Sequence, residues 1–183
     1  MTDETKVEKA ALDKAYRLGY DYCLQYGGCA PGVFAAVMDT LGYEADPVVN
    51  EVWKASLGLI GGTGNMAIGT CGAMAGAAMA ISYSFGITRE ELSEREKMHK
   101  VMQVADVIGE VGRKMQEVYG HIQCQEVQFQ HWGKSYRFTN PEAMQEFMKL
   151  SMSDPFCKEV TGNLARWTVK KILEHNPQFS KRK

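Results

Sequence analysis

A chain of 183 residues is long enough to bury a hydrophobic core without disulfide staples. Its 21 basic and 22 acidic side chains leave a net charge of -1 with no basic stripe, which argues against nucleic acid as a partner. The opening Met1-Thr2-Asp3-Glu4-Thr5-Lys6 is acidic and polar, with no apolar stretch behind it. A cytoplasmic location is therefore expected, and there the five cysteines serve as free thiols, metal ligands or catalytic groups.

In chain order, the pattern predicts an all-α single domain over 1–183, a bundle of six to seven helices with a small-residue helix at its core. A first helix over about residues 7–26 carries Ala11, Ala15, Leu18 and Tyr22 at helical spacing, and Gly27-Gly28 stops it. A second opens near Ala30-Pro31 and runs through Val33, Phe34, Val37, Met38 and Leu41 to Gly42. Asp46-Pro47 caps a third through Val48, Val52 and Trp53.

After the loop Gly61-Gly62-Thr63-Gly64-Asn65 comes a fourth helix over about residues 70–85. The stretch from Lys54 to Arg89 has no charged residue between its ends. Its Gly-rich break and its Ala, Gly, Ser and Met content nevertheless favour a buried helix over a membrane span. Thr88 and Glu91 form a capping box for a long fifth helix reaching about Tyr119. Residues 120–139 read as irregular. Asn140-Pro141 starts a short helix, and Asp154-Pro155 starts the last, to about His175. Residues 176–183 read as a frayed tail.

On this map Cys29, Cys71 and Cys157 fall at helix N-termini, where backbone N–H groups and the helix dipole favour thiolate over thiol. Thiolate is the form that binds metal or attacks a disulfide. Three readings stay open from the residues alone: inert core cysteines, a metal or cluster site, and redox thiols. No Cys-x-x-Cys occurs and zinc-ribbon spacing is absent, so any shared site is assembled by the fold. Gly72, Gly76 and Ala80 stand four apart, a smooth ridge against which another backbone can pack closely. The loop over 61–64 lacks Gly-Lys-Ser/Thr and a preceding strand, which argues against nucleotide binding. Trp53, Trp132 and Trp167 read as core or interface anchors.

The string Cys71-Gly72-Ala73-Met74-Ala75-Gly76, with Cys29 upstream and Cys124 and Cys157 downstream, resembles the C_GCAxxG_C_C family, which is named for a CGAxxG motif and four cysteines and described as redox-active. The resemblance spans about residues 16–173. It implies Cys29, Cys71, Cys124 and Cys157 as a ligand set, with Gly72, Ala73 and Gly76 as motif residues. A similar domain occurs in split-Soret cytochrome c, which carries an iron–sulfur centre beside its haems. This chain has no Cys-x-x-Cys-His, so haem is not implied.

The expected function is therefore electron transfer through a [2Fe–2S] or [4Fe–4S] cluster. The alternatives are a thiol–disulfide protein with Cys71 as the low-pKa nucleophile, and a zinc-binding interaction module. Cys23, six residues before Cys29, departs from the four-cysteine pattern, and with His121 it is a candidate extra ligand. A homodimer is expected from the small-residue helix and the Met-rich composition. The sequence names no electron donor, acceptor or substrate.

Overall fold

Local side-chain chemistry starts several of the helices. Asp46 accepts from the backbone N–H groups of Val48 and Val49 at 3.0 and 3.3 Å and opens α3 (Pro47–Ala55). Asn140 does the same from Ala143 N–H at 2.9 Å for α8 (Pro141–Ser153). Both have Pro at the first turn, where the missing N–H costs nothing. Thr88 and Glu91 close a reciprocal capping box at α5 (Arg89–Ser93).

The computed structural model describes residues 3–180. The other helices are α1 (Asp3–Gln25), α2 (Cys29–Leu41), α4 (Gly72–Phe85), α6 (His99–Tyr119), α7 (Cys124–Trp132) and α9 (Phe156–His175). Three short 3₁₀ turns accompany them, the last one after α9, and no strand occurs among the described residues. The all-α expectation holds, with nine α-helices among these residues where six to seven were expected. None is long and apolar enough to cross a membrane.

The core lies where α1, α2, α4 and α9 pack together, with Phe34, Met38, Leu41, Ile81, Leu164 and Ile172 fully buried. Burying each such side chain contributes about 1.5–3 kcal/mol. The long helix α6 lays Val107, Val111 and Met115 against this core. Small residues set the spacing between the central helices. A Cβ at Gly162 would stand 2.8 Å from the Tyr16 carbonyl oxygen, and one at Gly19 would stand 2.8 Å from that of Thr161. The close α1–α9 crossing therefore depends on both glycines. At Gly76 a Cβ would collide with the Ala30 carbonyl, so the expected ridge on α4 packs against α2.

Three expectations need correction. The helix expected from Thr88 to about Tyr119 breaks at Glu94, whose backbone is extended at φ −88 and ψ 110. The Ser93 hydroxyl donates to the Glu90 carbonyl there, competing with helix propagation, before α6 begins at His99. The region 120–139 is not all irregular, since α7 forms within it. Residues 176–180 are docked, not frayed: the Tyr43 hydroxyl donates to the Phe179 carbonyl at 2.6 Å and the two rings stack 4.6 Å apart. Residues 181–183 lie outside the described residues.

Candidate functional site

Each cysteine of the four-cysteine pattern occupies the start of a helix. Cys29 and Cys124 are the first residues of α2 and α7, Cys71 caps α4, and Cys157 is the second residue of α9. Helix starts carry N–H groups without helical partners, so each sulfur sits where backbone donors and the dipole oppose desolvation of a negative charge. The sequence pattern located three of these starts. Cys124 joins them because α7 forms where irregular chain was expected.

A left-handed loop brings the starts together. Gly61, Gly62, Thr63, Gly64 and Asn65 have φ between 57 and 73, and Ala67 has φ 64. Long backbone bonds close the loop on itself: Gly64 N–H to the Gly58 carbonyl at 2.8 Å, Asn65 N–H to Ile60 at 2.9 Å, and Ala67 N–H to Gly61 at 2.8 Å. The chain then pairs with the segment before α7. Cys71 N–H donates to Ile122 at 2.7 Å, Cys124 N–H to Gly69 at 2.9 Å, and Gln125 N–H to Ala67 at 2.8 Å, around an antiparallel bridge between Thr70 and Gln123. Two cysteines distant in sequence are thereby clamped side by side.

All five cysteines, Cys23 included, line one cavity of about 330 Å³. Val127, Val160, Trp132 and Phe138 contribute apolar wall, and Leu24, Met144, Phe147 and Met148 lie on the same cavity from α1 and α8. Two glycines, Gly72 of the motif and Gly62 of the loop, make room for cysteine side chains. A Cβ at Gly72 would overlap the Cys29 sulfur, and one at Gly62 would stand 2.8 Å from the Cys124 Cβ.

The electrostatics separate the thiols. The Cys71 thiol donates to the Cys29 sulfur. That bond, helped by the N–H groups of Gly61, Cys29 and Ala30 and opposed by burial, lowers Cys29 to about 6. The same bond from the donor side, together with burial, raises Cys71 well above the ordinary thiol range. Burial, reinforced by Cys29, pushes Cys124 up to about 12 and Cys23 up to about 12, and the same two causes raise Cys157 well above the ordinary thiol range. The low-pKa thiol is therefore Cys29, where the sequence reading gave that role to Cys71. Because Cys29 ionises first, its charge raises each of the other four cysteines.

A family model described as "Putative redox-active protein (C_GCAxxG_C_C)" matches residues 28–171. The chain belongs to this family. No curated protein and no solved structure matches the chain. The matched span contains Cys29, Cys71, Cys124 and Cys157, and it begins after Cys23. Cys23 nonetheless reaches the cavity, with its thiol 3.8 Å from the Cys157 carbonyl oxygen. His121 does not: it is exposed and off the cavity wall.

Among the described residues no three cysteine sulfurs lie within 4.8 Å of one another. A closed zinc tetrahedron with bonds of ~2.3 Å would hold its sulfurs about 3.8 Å apart. The donors are instead distributed around the cavity. Two polar residues stand beside these cysteines, of which sequence reasoning named only Asp154, as the start of the last helix. Gln128, one helical turn after Cys124, donates to the Cys124 sulfur at 3.2 Å. Asp154 accepts from Trp132 Nε1 and Phe156 N–H at 2.9 and 3.0 Å, which fixes the start of α9 next to Cys157. A glutamine at i+4 from a cysteine on a helix was the available signal for the first.

Proposed function

We propose that Cys29, Cys71, Cys124 and Cys157 together hold an iron–sulfur cluster, [2Fe–2S] or [4Fe–4S], through which the protein transfers electrons. The observation that carries this reading is the convergence of four helix starts, each bearing a cysteine, on one cavity. The spread of the sulfurs supports several irons over one zinc ion, because no iron of a [2Fe–2S] or [4Fe–4S] centre takes more than two protein thiolates. When bound, the cluster would supply reversible one-electron chemistry. The helix N-termini oppose its negative charge, and the apolar wall limits water. Gly61 N–H and Gln128 Nε2 donate to Cys29 and Cys124, hydrogen bonds of the kind that set cluster potentials.

The test is an absorbance spectrum of protein purified without oxygen, with iron, sulfide and zinc quantified. Broad visible absorbance with matching iron and sulfide is expected, and Cys71→Ser should bleach it. Iron-free, sulfide-free protein after anaerobic reconstitution would overturn the reading.

The Cys29–Cys71 hydrogen bond favours a second reading in metal-free protein. Cys29 thiolate and Cys71 thiol would join as a disulfide, giving up two electrons to a disulfide oxidant and one proton to solvent. That reading expects a dithiothreitol-reversible mass loss of about two hydrogens, confined to the peptides of these two cysteines.

A further inference from the structure

Among the described residues, Cys124 carries the one sulfur that accepts from a side-chain amide. The donor, Gln128, is 2% exposed and lies on the buried face of α7. Its orientation is determined by chemistry. The Tyr136 backbone N–H can only donate, and it meets Gln128 Oε1 at 2.7 Å. The amide nitrogen must therefore face the other way, toward the Cys124 sulfur at 3.2 Å. An apolar side chain would fill this place without desolvating an amide, so the position favours glutamine only where both ends are matched.

The far end of this strut is also defined. Tyr136 is buried, its ring lies 6.1 Å from Trp132 and 5.9 Å from Phe147, and its hydroxyl is 3.3 Å from Glu146 on α8. One amide thus joins a cysteine sulfur to the loop that anchors the outer helix over the cavity.

We infer that Gln128 is a positioning residue that holds the Cys124 sulfur by an N–H···S bond and raises the reduction potential of the centre it ligates. The inference rests on the cluster reading above. A donor to sulfur stabilises the more negative, reduced state more than the oxidised one, so its loss shifts the equilibrium toward oxidation.

The experiment compares the midpoint potential of reconstituted wild-type protein with those of Gln128→Leu and Gln128→Met. Gln128→Met keeps the length of the side chain, has no N–H to donate and, being uncharged, adds no field of its own at the centre. A shift of about tenfold toward the oxidised form, 59 mV for a one-electron couple, is expected for both variants. Iron and sulfide contents equal to those of wild type show that the centre is intact, which separates tuning from mere support of the fold. Unchanged potentials in a folded, fully loaded variant would overturn the inference.

If the protein takes up no cluster, the proposed function fails and the hydrogen bond is tested by itself. In ¹⁵N-labelled metal-free protein, Gln128 side-chain amide protons should be shifted and slow to exchange, and Cys124→Ala should abolish both properties. A Gln128 amide indifferent to Cys124→Ala would overturn the inference there too.

Discussion

A thiol taken out of water resists ionisation unless hydrogen-bond donors replace the lost solvent. Cys23 and Cys124 follow the first half of that rule and are pushed up to about 12, whereas Cys29, with the Cys71 thiol and three backbone N–H groups at its sulfur, falls to about 6. Reduced, metal-free protein should therefore be alkylated by iodoacetamide at Cys29 first. Because the thiolate is the reactive form and is lost as pH falls, the Cys29 rate should halve near pH 6. The other cysteines should react slowly until strongly alkaline pH. Peptide mapping across pH 5–9 checks this (~ four units bracketing the ordinary thiol range); first labelling at Cys71, or a midpoint near 9, would refute it. Gly72 belongs to the same chemistry. Gly72→Ala drives a methyl group into the Cys29 sulfur, and overpacking of this kind costs about 1–3 kcal/mol. Its expected signature is loss of preferential Cys29 labelling together with a lower urea midpoint.

The elements differ in how much of their reason for existing is local. The starts of α3, α5 and α8 were legible because Asp46, Thr88 and Asn140 cap within three residues of themselves. The short helix α7 was not legible: its sequence CQEVQFQHW has no clean apolar stripe, and its first turn is fixed by Cys124 N–H and Gln125 N–H bonding to the Gly69 and Ala67 carbonyls after the glycine loop. The loop itself runs against local preference. Thr63, a β-branched residue, has φ 67, a conformation that costs a non-glycine residue about 1–2 kcal/mol. The loop's own backbone bonds, from Gly64, Asn65 and Ala67 back to residues 58–61, hold this conformation, and the bonds of Cys71 and Gly69 across to residues 122–124 fix the loop against the start of α7. Thr63 is exposed, so Thr63→Gly removes the strain at little packing cost. Set against the extra freedom of glycine in the unfolded chain, a net gain of about 0.5–1 kcal/mol is expected in urea unfolding. A loss of stability would show that the threonine side chain makes a compensating contribution.

For the molecule as a whole, the order of the four cysteines and the helical class could be read from the sequence. The fifth cysteine's place on the same cavity, and which thiol ionises, could not, because both depend on where the glycine loop and α9 lie in space. The same distinction governs motion. The helices that carry Cys29 and Cys71, α2 and α4, lie in the core, whereas α8 has no buried residue. It is held over the cavity by Phe147 among Trp132, Tyr136 and Phe138, and by an exposed Lys134–Glu146 ion pair. Such an ion pair contributes about 0–1 kcal/mol, so most of the attachment is the half-buried Phe147 ring. Amides of α8 should then exchange with deuterium through local opening, while those of α2 and α4 wait for global unfolding. Phe147→Ala removes the anchor and should bring α8 exchange close to that of an unstructured peptide. Because α8 adds so little to the core, the global urea midpoint should barely move. If α8 exchanged only at the global rate, or if Phe147→Ala lowered the midpoint as a core truncation does, α8 would be part of the folding unit and not an outer cover. The outcome bears on access, since Met144, Phe147 and Met148 line the cavity from this helix and its opening would uncover the cysteines.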